Sequence, residues 1–179
     1  MTASRSGWTP LLRSDDPRAR ADALFVLGML RLRADDDAEA AGIFRTATQE
    51  DPEHAESWAN LGLALGRMRD FTGALEALAR AQRDPQLAAD RDLQRARASA
   101  FVSLGQLPRA AAIYERLAKE HPADIACDFD LATLAEARAN ATRADFPTRE
   151  LLLSDAARHY RAYLRDAPKD QVAPRERAM

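Results

Sequence analysis

Small residues recur at a fixed spacing in this chain, and that spacing limits what it can fold into. Between Asp51 and Pro85 the sequence runs DPEHAESWANLGLALGRMRDFTGALEALARAQRDP. Trp58, Leu61, Gly62 and Leu65 precede Asp70, and Phe71, Ala74, Leu78 and Ala81 follow it. Apolar residues three and four apart mark one face of a helix on each side of Asp70. Gly62 and Ala74 let two antiparallel helices approach closely, Trp58, Leu61 and Leu78 fill the seam between them, and Pro85 opens the next helix. A hairpin of this size cannot bury its own apolar face, so neighbours of the same kind are expected.

They are present. A step of 34 residues back from Leu61, Gly62, Ala74, Leu78 and Ala81 lands on Leu27, Gly28, Ala40, Phe44 and Ala47, and Pro52 closes that unit. A step of 36 forward gives Ala110, Tyr114 and Leu117, with Pro122 behind them. The two added residues fall in the linker QLAADRD, because connections tolerate changes of length at small entropic cost. The first helix of this third unit is weaker, with Ala98 at the Gly62 position and Phe101 at the Leu65 position. A further step of 46 reaches Ala156, Tyr160, Tyr163 and Pro168 and requires twelve extra residues, placed between the two helices at about 139–150.

This pattern resembles the tetratricopeptide repeat (TPR), W-x2-L-G-x2-Y…A-x3-F…P over about 34 residues. Leu65 stands for Tyr, Leu78 for Phe, and the proline comes one residue early. The resemblance covers roughly residues 17–168. It implies an all-α solenoid of about four helix pairs, a right-handed superhelix whose first helices line a concave groove. The repeats fall at about 21–54, 55–90, 91–124 and 125–170, with residues 1–16 as an N-terminal cap and 169–179 as a flexible tail.

Composition agrees with helices and narrows the function classes. The 179 residues suffice for one domain with a real core, and the chain is rich in the helix formers Ala, Leu and Arg. A net charge of −2 offers no basic face for nucleic acid. Cys127 is the one cysteine, which rules out an internal disulfide. The N-terminal stretch MTASRSGWTPLLRSDD lacks the apolar core of a signal peptide, and the longest apolar run, Ala23 to Leu30, is too short to cross a bilayer. A soluble, cytoplasmic protein with no membrane insertion is expected.

Helix boundaries are marked by Asp-Pro pairs at Asp16-Pro17, Asp51-Pro52 and Asp84-Pro85, each a cap followed by a proline in the first turn. Asp35 to Asp37 cap the second helix. The first helix, ALFVLGMLRL, is apolar nearly all round, so both of its faces want partners. Trp8, Leu11 and Leu12, behind Thr9-Pro10, are one candidate cover, and self-association is the competing reading. Ile125 to Arg138 reads as a helix, NATRADFPTRE as a loop, and Leu151 to Arg165 as the last helix.

Chemistry-bearing residues are scattered. His54, His121 and His159 lie in different units with no partner at metal-ligand spacing, and Cys127 reads as a small buried thiol. Neither a glycine-rich phosphate loop nor a G-x-S-x-G elbow occurs. No enzyme, metal or cofactor is expected. The TPR resemblance instead implies a peptide-binding groove lined by Phe25, Met29, Arg33, Asn60, Leu63, Arg67, Arg95, Val102 and Phe129. Arg33 and Arg67 stand in register and are candidates to receive a carboxylate, or are simply solvated helix ends. Phe25 and Met29 occupy the places of the Lys-Asn pair of carboxylate-clamp TPR proteins, which argues against that mode of binding. The implied function is an adaptor or chaperone for a peptide or helix of another protein. A structural scaffold or homodimeric subunit is the alternative. The chain also looks similar to the TPR-type chaperones of type III secretion translocators in size, N-terminal cluster and the LGMLRLR stretch.

Overall fold

A computed structural model describes residues 12–141 and 146–167. Among them there are nine helices and no strand: α1 (Pro17–Arg33), α2 (Asp37–Glu50), α3 (Ala55–Arg67), α4 (Phe71–Ala81), α5 (Pro85–Ala89), α6 (Arg91–Ser103), α7 (Leu107–Glu120), α8 (Ile125–Ala141) and α9 (Phe146–Asp166). By its contacts the chain divides into two compact units, residues 1–100 and 101–179.

Side chains of short polar residues start most of these helices. Asp16, Asp36, Asp70 and Asp84 each accept a hydrogen bond from a backbone N–H of the first turn, satisfying donors that have no partner within the helix. Asp90 does the same for α6 through the N–H of Leu93, at 3.0 Å. At α3 the cap is His54, whose Nδ1 accepts from the N–H of Ser57 at 3.2 Å.

In the first unit α1 packs on α2, α2 on α3 and α3 on α4. The seams are where the spacing puts them. A Cβ added at Gly28 would stand 2.6 Å from the Phe44 ring, and one at Gly62 would stand 2.6 Å from Leu78 Cγ and 3.2 Å from the carbonyl oxygen of Ala74. Ala40, Ala41, Phe44, Leu61, Ala64, Leu65, Ala74 and Ala77 form one buried cluster. Leu93 of α6 joins Ala59, Leu78 and Ala81 in a second. In the second unit α8 packs on both α7 and α9. Its buried residues include Ile113, Tyr114, Leu117 and Leu134, and the Cys127 thiol is buried too.

One sequence expectation is corrected. The stretch NATRADFPTRE is mostly helix: α8 runs on to Ala141 and α9 begins at Phe146, with residues 142–145 outside the described ones. The inserted residues therefore lengthen helices, 17 residues in α8 and 21 in α9 against 13 in α3 and 11 in α4. Pro147 does not prevent this, since a first-turn residue needs no backbone donor. The QLAADRD linker contains a short helix of its own. Pro85 opens the short α5 and Asp90 then starts α6. Of the candidate N-terminal cover, Leu12 is exposed, and Trp8, Leu11 and the tail 169–179 lie outside the described residues.

Candidate peptide-binding cleft

In the first unit the first helices of three repeats, α1, α3 and α6, border a cleft of about 420 Å³. Leu32 of α1, Leu63, Gly66 and Arg67 of α3, and Ala96 and Ser99 of α6 line it, with Phe71, Ala74 and Leu78 of α4 behind. The periodicity of each helix explains these contributions. Leu61, Gly62 and Leu65 face the core of α3, and Leu63 and Gly66 lie on the neighbouring face one to three residues away. The lining is apolar apart from Arg67 and the Ser99 hydroxyl.

Arg67 is the last residue of α3, and its guanidinium is already engaged. Its Nη2 lies 3.0 Å from Asp35 Oδ1 and its Nε 3.0 Å from Asp37 Oδ1, both carboxylates standing at the turn between α1 and α2. These contacts occupy Nε and Nη2, while Nη1 lies outside them and the side chain remains half-exposed. Arg33, the last residue of α1, is exposed.

The remaining expected groove residues divide by place. Phe25 is half-buried, with its ring 6.1 Å from Phe44 and 5.5 Å from His54. Met29 is half-buried against the same cluster. Both are thus packed against that cluster on one side and partly exposed on the other. Ala21, Phe25, Gly28, Met29 and Leu32 are spaced three and four apart, so they share one face of α1, and that face carries the buried Ala21 and Gly28. Asn60 is half-buried and donates from its amide nitrogen to the carbonyl of Glu56 at 2.9 Å. Arg95 is half-buried on α6. Val102 and Phe129 belong to the second unit, where the Phe129 ring lies 5.9 Å from Tyr160 and 5.3 Å from Tyr163. Of the nine residues, Leu63 and Arg67 line the cleft.

The expected set leaves out Leu32, Gly66, Phe71, Ala96 and Ser99, although the TPR resemblance puts Ser99 at the groove position that Leu63 holds one repeat earlier. A signal existed for two others as well: Leu32 and Gly66 are 34 residues apart, each immediately before the terminal arginine of its helix, on positions that the TPR resemblance assigns to the groove.

The histidines serve the fold. His54 uses Nδ1 as a cap acceptor, which leaves the ring proton on Nε2, 3.0 Å from Asp22 Oδ1. His159 Nδ1 lies 2.8 Å from Asp128 Oδ1.

Residues 22–54 and 93–124 match the family model of the tetratricopeptide repeat (TPR_6). The fold is an all-α TPR solenoid. Two crystal structures of MamA, both 19% identical to this chain, superpose with TM-scores of 0.66 and 0.67. The first match covers 89% of this chain and 84% of MamA, the second 94% and 85%. YrrB, described as "a TPR protein with an unusual peptide-binding site", superposes with a TM-score of 0.64 at 17% identity, over 90% of this chain and 75% of YrrB. A Thermobaculum terrenum O-GlcNAc transferase variant matches at a TM-score of 0.57 and 22% identity, over 82% of this chain but 27% of the transferase. At such identities the likeness is one of fold. No curated protein matches the chain in sequence. The two TPR matches coincide with the expected first and third repeats.

Proposed function

We propose that this chain is a non-enzymatic protein–protein interaction module, an adaptor or chaperone that takes up a peptide or helix of a partner protein in the cleft of its first unit. The observation that carries this reading is the apolar lining: Leu32, Leu63 and Phe71 are half-buried and turn their remaining surface to the cleft, on helices whose core seams are filled by Phe44, Leu61 and Leu78. Apolar surface gathered in a concavity, with a few polar groups at its edge, is the usual make-up of a binding site. The peptide-binding site of YrrB, a protein of similar fold, supports the same reading. On this view Leu63 is the central anchor, and Arg67, held by Asp35 and Asp37, shapes the rim. The expected repeats 21–54, 55–90, 91–124 and 125–170 are its structural units, and it works in the cytoplasm without a cofactor. Among the described residues no helix is long and apolar enough to cross a membrane. The narrower form, a chaperone of the type III secretion kind, rests on the size of the chain and the LGMLRLR stretch of α1.

The test uses a peptide selected from a random-sequence phage library against the parent protein. Leu63→Glu places a charge in the apolar cleft and is expected to lower affinity at least tenfold while the far-ultraviolet circular dichroism stays that of the parent. Undiminished binding by that variant would exclude the cleft.

A second reading, a homodimeric or scaffold subunit, is favoured by α9, where Phe146 is 79% and Leu151 64% exposed. Large apolar side chains this open are common at interfaces. If that face assembles the protein, light scattering gives a mass above 19.8 kDa, and the double substitution Phe146→Asp, Leu151→Asp restores the monomer.

A further inference from the structure

Six glycines lie in the described residues, and four have a reason in the fold. Gly28 and Gly62 admit the Phe44 ring and the Leu78 side chain at 2.6 Å from where a Cβ would be. At Gly73 a Cβ would strike the capping carboxylate of Asp70, also at 2.6 Å, and Gly105 has φ +71°. Two glycines remain, both inside helices: Gly42 in α2 and Gly66 in α3. Neither has positive φ. A Cβ at Gly42 would meet nothing within 4 Å, and one at Gly66 would meet only the Ala74 Cβ, at an ordinary 3.9 Å. Alanine would suit both helices better, because glycine loses more backbone freedom on folding. Gly42 is exposed and lies outside this cleft, so it is an ordinary surface residue. Gly66 is different. It forms part of the cleft wall, between Leu63 and Arg67 on its own helix and facing Leu32 and Phe71.

We propose that Gly66 sets the size specificity of the cleft: its bare backbone admits one bulky apolar side chain, of leucine or phenylalanine size, from the bound peptide. The inference rests on the cleft being the peptide site. A methyl group at residue 66 would project into the same space as the incoming side chain while improving α3, so stability and binding move in opposite directions at this residue. The neighbouring lining agrees with such an occupant, since Leu32, Leu63 and Phe71 offer it apolar contact on the remaining sides.

The experiment compares Gly66→Ala, Gly42→Ala and Leu63→Glu with the parent, using a phage-selected peptide and the same peptide with its key leucine or phenylalanine cut back to alanine. Both glycine-to-alanine variants should melt about 1–4 °C above the parent. Gly66→Ala should bind the selected peptide at least tenfold more weakly and the alanine-truncated peptide with nearly unchanged affinity, a coupling that a purely structural role would not produce. Gly42→Ala should bind both peptides like the parent. If Leu63→Glu abolishes binding and Gly66→Ala does not weaken it, the size filter is wrong and the cleft reading stands. Binding unaffected by Leu63→Glu overturns both. A Gly66→Ala protein melting several degrees below the parent would show that the fold itself needs the glycine, and would also overturn the inference.

Discussion

Gly62 and Gly28 are the residues on which the helix pairing rests, and each allows an approach that a methyl group would forbid. At Gly62 one of the obstructing atoms is a main-chain oxygen, that of Ala74 at 3.2 Å, which cannot swing aside as a side chain can. Gly62→Ala is therefore expected to destabilise the protein by about 1–3 kcal/mol, read as a lower melting temperature by calorimetry. A melt equal to the parent's would mean that α3 and α4 are farther apart than described. His54 makes a second residue-scale case. Its ring caps α3 through Ser57 and holds Asp22 of α1 at 3.0 Å, so His54→Ala should cost about 0.5–2 kcal/mol in urea unfolding. His54→Asn keeps a capping oxygen and should recover most of that loss. Recovery no better than the alanine variant's would show that the Asp22 contact, rather than the cap, carries the stabilisation.

Elements repeat in their turns as well as in their helices. The residues that end the turn within the first three pairs are Asp35, Arg69 and Gly105, with φ of 55°, 65° and 71°. Left-handed backbone costs an L-residue about 1–2 kcal/mol, and glycine escapes it. Asp35 is partly compensated by its ion pair with Arg67, whereas Arg69 has a distant stacking contact, 5.9 Å above the Phe71 ring. Arg69→Gly is expected to raise stability by about 0.5–1 kcal/mol after allowance for glycine's freer unfolded chain. A fall in the melting temperature would show that the arginine's contact outweighs its strain. The misreading of NATRADFPTRE also belongs to this scale. Residues 146–150 are all exposed, and Ala156 is the one fully buried residue of α9. Its first turn, with every side chain exposed, carries no apolar signal and so reads as loop, and the proline there reinforces that impression.

At the scale of the whole molecule, charge sets behaviour in solution. With a sequence pI near 6.0 and side chains such as Phe146 and Leu151 open to water, self-association should be strongest near pH 6 and weaken on either side. Turbidity measured across pH checks this, and a flat profile would count against it. The amino-acid sequence by itself determined the pairing of helices: Gly28 with Phe44, Gly62 with Leu78, and the aspartate caps all follow from spacings within about one repeat. Contacts between neighbours in the chain are legible because helical periodicity carries them. The cleft was legible only in part. Leu63 and Arg67 stand at expected groove positions, but whether a residue meets open space depends on how far one helix turns and tilts against the next. That decision packed one side of Phe25 and Met29 against the core, drew Arg67 to Asp35 and Asp37, and left Gly66 as an unfilled place in the wall. Such outcomes arise from packing between repeats, where several side chains compete for the same volume, and only the tertiary structure decided among them.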